Sequence, residues 1–373
     1  MRVVIVKKTL STVGGSEMFA RSIDRELRAL GHDVTLVGMR PAWERPGVAE
    51  DRRSVFLPVR GGRLGAAIDG LLPTTLVRAD DLRGAIKGAD VVHSIAREWA
   101  GALERAARVE GAAFVETPLV HPGQAFSGDS ARDVARYRRD DAVIALTEWE
   151  ADWYREHGVP GVHVTGIGPN LLALPQLARE PATVLFVGRK ERYKGYHALR
   201  DAAAAVWRER PDVRFIAIGQ PAWTARFSRP MRDPRWEEVG VVSEAMKAAA
   251  FARASIFAMP SDHETFGHTY LEAWMAGLPV IAGDIAPLRE IVREGVDGLH
   301  ARNEANAVAA AVLTLLRDPE RARRMGESGR ERALSEFTWA AVARRTEAAY
   351  RDAATWRQRA RAAARHARRH AGH

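Results

Sequence analysis

The chain has no cysteine among its 373 residues. Disulfides, zinc–thiolate centres and a thiol nucleophile are therefore excluded, and a reducing cytosol fits. Long apolar runs are also missing. The opening MRVVIVKKTL holds an apolar run of only four residues, and no stretch approaches the roughly 18 to 20 apolar residues of a membrane-spanning helix. Neither a signal peptide nor a transmembrane anchor is expected, and a cytoplasmic location is. No fixed-period repeat occurs, and the only biased stretch is an Ala/Arg tail. Acidic residues are in deficit, 47 Asp and Glu against 56 Lys and Arg, for a net charge of +9. The densest basic run is RDAATWRQRARAAARHARRHAGH, from Arg351. Such a surface can attract phosphate, anionic lipid or nucleic acid. The plainer reading, a solvated terminal helix in an arginine-rich chain, is preferred, and no nucleic-acid partner is expected.

What is present is an α/β pattern. A chain of this length that is 46% hydrophobic, with Gly and Pro spread throughout, is long enough for two packed domains. Short β-branched runs alternate with helical periods, as parallel architecture requires. Strands are expected at 2–6, 33–37, 54–59, 90–94, 113–117 and 142–147. The first helix, SEMFARSIDRELRALG, sets Met18, Ile23, Leu27 and Leu30 on one face, with Gly31 as its stop. A second series restarts after GIGPNLLALPQLAREPAT, with strands at 183–188, 213–219, 255–260 and 279–283. The restart predicts two Rossmann-like, doubly wound parallel-sheet domains, joined near 166–182 and facing across a cleft. The expected division is 1–170, 171–340, and a terminal helix with basic tail at 341–373 that crosses back toward the first domain.

Ligands in such sheets sit at the carboxyl ends of strands, and each half offers a loop there. In KKTLSTVGGSEMF, Gly14 and Gly15 precede a helix, and free N–H groups at a helix start suit a diphosphate. The pattern is not G-x-G-x-x-G, and a plain pair of turn glycines is an equal reading. In LFVGRKERYKGYHAL, Gly188 is followed by Arg189, Lys190, Arg192 and Lys194. Cations beside a helix start suit a departing pyrophosphate, and a basic surface loop is the alternative.

A third stretch is PSDHETFGHTYLEAWMAGLPVIA, residues 260–282. Glu264 falls in a loop after a strand, and Glu272 in the following helix, which Gly277 stops. The N–H groups of Phe266, Gly267, His268 and Thr269 cluster at that helix start. Two acids beside an array of donors can hold a polyhydroxylated ligand. Against this, Ser261 and Glu264 can form a capping box, and Glu272 can be a solvent-facing helix residue.

The segment ASIFAMPSDHETFGHTYLEAWMAGLPVIAGDIAPLREIVREGVDGLH resembles the donor-binding segment of family 4 glycosyltransferases, retaining enzymes of the GT-B fold, with the E-x(7)-E motif at Glu264 and Glu272. VGGSE, DAVIALTEWEADWYREHGVP, VGRKERYKG and GVVSEAMKAAAFARA agree in order, so the likeness covers nearly the whole chain. It implies that Glu272 accepts hydrogen bonds from a ribose, and that Glu264 with the backbone at Phe266, Gly267 and His268 holds the donor sugar. Arg189 and Lys194 match the family's basic pair on the diphosphate, and Gly14–Gly15 its glycine loop. His121, in ETPLVHPG, falls where the family often has a histidine near the reacting face of the sugar, although a core or loop histidine is an equal reading. His93 reads more simply as the end of a strand. GPNLLALP departs from the family's usual turn at the linker.

The resemblance implies transfer of a sugar from a UDP- or GDP-sugar to a hydroxyl acceptor such as a sugar, glycoside or lipid-linked glycan. The route is front-face, the leaving phosphate oxygen taking the acceptor's proton, rather than the double displacement of a carboxylate pair. No D-x-D pair stands where a nucleotide-bound metal would need it, so no metal and no cofactor are expected. Other chemistry on the same fold, a phosphorylase or nucleotide-sugar epimerase, and a non-catalytic basic binding protein are the alternatives. RLGAAIDGLLPTTLVRADDLRGAIKG, the candidate membrane face, is broken by acids and proline, so weak peripheral association at most is expected.

Overall fold

The computed structural model describes residues 1–10, 15–40, 54–60, 77–95, 97–122, 127–170, 173–221 and 231–370, and its elements are numbered in chain order over these. They form two compact units, Met1–Gly166 with Trp339–His373, and Ile167–Thr338.

The first unit runs β1 (Arg2–Thr9), α1 (Gly15–Ala29), β2 (Asp33–Met39), β3 (Ser54–Phe56), α2 (Ala79–Ile86), β4 (Val91–Ile95), α3 (Ala100–Glu110), β5 (Ala113–Thr117), α4 (Ala131–Tyr137), β6 (Ala142–Ala145), α5 (Glu148–Glu156) and β7 (Val162–Val164). The seven strands form one sheet in the order β3-β2-β1-β4-β5-β6-β7, and every described pairing is parallel. Continuous apolar strands such as VVIV bury both faces, which is why parallel sheets sit between layers of helices. The last helix, α12 (Trp339–His370), belongs to this unit. Trp339 meets Phe19 of α1 edge-on at 5.7 Å, and the Tyr350 hydroxyl lies 2.7 Å from His93 Nδ1. His93 Nε2 lies 2.7 Å from Thr117 Oγ1, so the ring is saturated inside the core.

The predicted face of α1 is revised. Phe19, Ala20, Ile23 and Leu27 are its buried apolar residues. Met18 is only half-buried, and Leu30 lies past the last helical turn, exposed before the Gly31 turn.

The second unit runs β8 (Thr183–Val187), α6 (Tyr196–Glu209), β9 (Arg214–Ile218), β10 (Trp236–Val239), α7 (Glu244–Arg253), β11 (Ile256–Met259), α8 (His268–Met275), β12 (Val280–Gly283), α9 (Ala286–Ile291), β13 (Gly298–Ala301), α10 (Ala305–Arg317) and α11 (Pro319–Ser335). Its six-stranded sheet has the order β10-β9-β8-β11-β12-β13. In such a sheet the connections leave in opposite directions on either side of one point, here between β8 and β11, and a crevice opens at their carboxyl ends. The loops after β8 and after β11 are thereby neighbours, although some seventy positions separate them in sequence.

Candidate active site

Backbone geometry locks those two loops together. After β8 the chain makes a short 3-10 turn, Arg192–Lys194, and Gly195 follows with φ +76. A Cβ at Gly195 would lie 2.5 Å from the Pro260 carbonyl oxygen, so the turn can seat on the second loop only without a side chain. The Asp262 amide donates to the Tyr193 carbonyl at 2.7 Å, and the Ser261 hydroxyl approaches the same oxygen at 3.0 Å. Asn303 Nδ2 reaches the Arg192 carbonyl at 2.9 Å and Asp262 at 2.7 Å. From below, Gly283 approaches so closely that a Cβ there would lie 1.8 Å from the Ser261 carbonyl oxygen.

On this frame Lys194 Nζ and Glu264 Oε1 form an ion pair, both side chains nearly buried. Arg189 donates to the Tyr193 hydroxyl. Its guanidinium lies 5.3 Å from the centre of the Tyr193 ring, and Lys194 Nζ 5.2 Å, distances at which the ring face attracts both cations. Arg189 itself is 60% exposed, with Glu191 at 3.7 Å. Lys190, by contrast, is no part of a solvent-facing cluster. It is buried against Glu238 at 2.6 Å and donates to the Val239 carbonyl, anchoring the loop to β10.

Glu272 is the least ordinary group of the site. It lies in the second turn of α8 and is only 2% exposed, which corrects the solvent-facing alternative. Lys247 of α7 reaches its Oε1 at 3.0 Å, while Oε2 is buried with no hydrogen-bond partner. Buried polar atoms are nearly always paired, so an orphaned carboxylate oxygen calls for an explanation. Burial pushes the Glu272 carboxyl above its ordinary pKa, against the pull of Lys247. Lys247 loses charge stability to burial, but Glu272 and Glu244 outweigh that and raise its pKa.

The α8 helix opens at Gly267, in the left-handed region at φ +91, and its first N–H groups have no carbonyl one turn back. Phe266 is buried, edge-on to Phe337 at 5.4 Å. Thr269 Oγ1 points to Met259 Sδ at 3.6 Å. His268 Nδ1 lies 3.3 Å from the Gly168 carbonyl and 3.4 Å from Asn170 Nδ2. Burial holds its pKa down at about 4, so the ring is neutral at pH 7. The capping box is not formed. Gly267 is the N-cap of α8, the Ser261 hydroxyl serves the Tyr193 and His263 carbonyls, and Glu264 is committed to Lys194.

In the first unit, Gly15 opens α1, and Gly14 lies outside the described residues. His121 sits, half-buried, in the loop after β5. The buried Glu150 supports that loop, accepting from the Val120 amide at 3.3 Å and from the Leu146 amide at 2.8 Å. His93 is a core pin: burial pushes its pKa down to about 3, leaving it neutral between Tyr350 and Thr117. The candidate membrane face lies mostly outside the described residues. Lys247, Tyr193 and Asn303 were not singled out in the sequence. SEAMK carried a weak signal for the first, because Ser243 caps α7 by accepting from the Met246 amide and so fixes where Lys247 points. Among the described residues no cluster of three or more His, Asp or Glu side chains could hold a metal ion, and no helix is long and apolar enough to cross a membrane.

Each unit is built on a parallel sheet, and the second holds an acid pair and cations at its switch point; comparison with known proteins gives the class. Residues 174–332 match the model for "Glycosyl transferases group 1" and residues 14–170 the model for "Glycosyl transferase 4-like domain". A glycogen synthase of Mycobacterium tuberculosis is 29% identical over 385 residues, 91% of each chain. A D-inositol 3-phosphate glycosyltransferase of Corynebacterium glutamicum is 36% identical over 182 residues, 46% of this chain and 43% of that one. Among solved structures, sucrose-phosphate synthase from Thermosynechococcus elongatus superposes with a TM-score of 0.73 at 22% identity, covering 94% of this chain and 98% of that one. HepE of Anabaena, solved with UDP-glucose, gives 0.70 at 16% identity, covering 93% and 99%. The chain is a glycosyltransferase of family 4, with the GT-B fold.

Proposed function

We propose that the chain transfers a sugar from a nucleoside-diphosphate sugar to a hydroxyl acceptor with retention of anomeric configuration. The observation that carries this reading is Glu272, a buried carboxylate with one oxygen on Lys247 and the other unpartnered. An acceptor pair of that kind suits the two hydroxyls of a ribose, each donating a charge-assisted hydrogen bond. Glu264 then holds the donor sugar together with the N–H groups of Phe266, Gly267, His268 and Thr269 at the α8 start. Lys194 is bound to Glu264, as expected if the sugar and the phosphate bearing it are adjacent. Arg189 reaches out from the same loop to the diphosphate, and Gly14–Gly15 are given a phosphate-binding role on their sequence pattern alone. His121 is assigned to the reacting face of the sugar.

In the reaction the anomeric carbon–phosphate oxygen bond breaks while the acceptor oxygen bonds to the same face of that carbon. The acceptor's proton passes to the departing phosphate oxygen. Positive charge grows on the sugar and negative charge on the diphosphate, and prepositioned cations and N–H groups stabilise the latter without reorganising. The chain's own cations fill the role a divalent metal would otherwise have, so turnover proceeds without one, and the protein acts in the cytoplasm as a soluble or weakly peripheral enzyme.

The test is to incubate the purified chain with UDP- and GDP-sugars and a panel of sugar and glycoside acceptors in the presence of EDTA. An α-linked product from an α-linked donor, resolved by the anomeric proton coupling, supports the reading. An inverted product, or hydrolysis-free release of a sugar phosphate in its place, refutes it.

A further inference from the structure

The second unit contains a cavity of about 640 Å³ at the opposite, amino-terminal edge of its sheet, within the range of roughly 300 to 1,000 Å³ typical of small-molecule sites. Its floor is apolar. Ala182, Ile256 and Pro279 lie at or just before the starts of β8, β11 and β12, and Leu315 and Leu316 of the last turn of α10 close one wall.

The rim is cationic, with Arg179, Arg210, Arg323 and Arg330 against Glu320 and Glu327. Two of these arginines are already matched. Arg323 pairs with Glu320 at 3.2 Å and with Glu327, and Arg210 pairs with Asp212 at 2.7 Å. The other two have no carboxylate. Arg179 donates only to backbone carbonyls, those of Ala276 at 2.7 Å and Gly277 at 3.2 Å, and burial lowers its pKa with no acid to offset it. Arg330 makes no ion pair among the described residues.

We infer that this cavity binds a small amphipathic oxyanion, with an apolar body on the aliphatic floor and a phosphate or carboxylate head on Arg179 and Arg330. Two facts argue for that class. The one side-chain hydroxyl on the floor, Ser255, is already engaged with the Thr183 backbone at 2.9 and 3.0 Å, and a guanidinium fork lacking a carboxylate matches a planar or tetrahedral oxyanion in two-pronged fashion. The inference does not rest on the glycosyltransferase reading, because the cavity shares no residue with the Glu264–Glu272 site.

Isothermal titration of the intact chain with 1-naphthyl phosphate, 1-naphthoate and neutral 1-naphthol tests it, the two anions distinguishing a phosphate head from a carboxylate. At least one anion should saturate a single site, with 1-naphthol at least about tenfold weaker. Arg179→Gln combined with Arg330→Gln should weaken the anion about tenfold or more, and the exposed Arg330→Gln alone by a smaller factor without affecting the fold. Glu272→Gln should leave this affinity within about twofold, since additivity holds for separate sites. No saturation by either anion below ~5 mM, equal binding of 1-naphthol, or indifference to both arginine variants would overturn the proposal. Loss of the anion in Glu272→Gln would place it at the other site and overturn it as well.

Discussion

Replacing Glu272 by Gln should separate stability from ligand binding. The carboxylate is 2% exposed, holds Lys247 at 3.0 Å, and leaves Oε2 without a partner. Burial raises its pKa more than Lys247 lowers it. A carboxyl whose folded pKa is raised contributes stability that is present at pH below its unfolded value and lost as pH rises through the folded one. Once pH has risen through that raised pKa, the charged Glu272 is therefore a net cost to the fold, which Gln removes. The variant does take a partner from Lys247, but Glu244 remains 2.8 Å from that ammonium. The melting temperature of Glu272→Gln at pH 8 should thus stay within about 3 °C of the native value or exceed it, a change of under about 1 kcal/mol for a domain of this size. Nucleotide binding should respond in the opposite sense. A charge-assisted hydrogen bond contributes roughly 1.5 to 3 kcal/mol, so the Kd for a nucleoside diphosphate should rise by roughly 10- to 150-fold. The donor KM should rise with it, and kcat should fall less, because the ribose contact is made equally in ground and transition states. In the native protein the same affinity should weaken as pH falls through the raised pKa of Glu272. Isothermal titration beside differential scanning calorimetry reads both quantities. A fall of about 8 °C or more with unchanged nucleotide affinity would refute the reasoning and make Glu272 one half of a structural ion pair.

Glu264→Gln should lower kcat by about ten- to a thousandfold with nucleoside diphosphate affinity nearly unchanged, because part of its contribution arises only as charge develops on the sugar; steady-state kinetics paired with titration checks the contrast with Glu272. The buried, neutral His93 has its pKa depressed from 6.5 to about 3, so its stabilisation is full above pH 6.5 and is lost as pH falls toward 3. In His93→Gln, urea unfolding across that range should show a shallower pH dependence than the native protein, and parallel curves would contradict the assignment. Gly283→Ala should cost more than about 2 kcal/mol in a denaturant melt and depress kcat, because its Cβ would fall 1.8 Å from the Ser261 carbonyl in the loop that carries Glu264.

Much of this architecture was legible from periodicity. β1, β5, β8 and β12 announce themselves as short β-branched runs, and burial on both faces of a parallel strand is what such runs are for. β7 (VHV), β10 (WEEV) and β13 (GLHA) did not, because each is an edge strand of three or four residues whose pattern carries too few apolar positions to show a period. The E-x(7)-E spacing drew attention to Glu264 and Glu272 for the same kind of reason, a fixed local distance along a loop and helix.

What the sequence by itself determined was the class of the longer, strongly patterned elements and which loops end on a glycine, since dihedral limits and side-chain period act over a few residues. Environment was decided only by tertiary structure. The run RKERYK reads as four equivalent cations, yet packing buries Lys190 against Glu238 of the edge strand β10, sends Lys194 across to Glu264, and leaves Arg189 largely in solvent. Glu272 could have faced water or a ligand equally well until α7 laid Lys247 beside one oxygen and left the other buried without a partner. His93, which merely ends a strand in one dimension, is buried and pinned by a tyrosine from the far end of the chain. Charge and burial depend on which remote segments fold against a residue, and in parallel sheets those segments are set by the order of strands, a long-range property that no local pattern encodes.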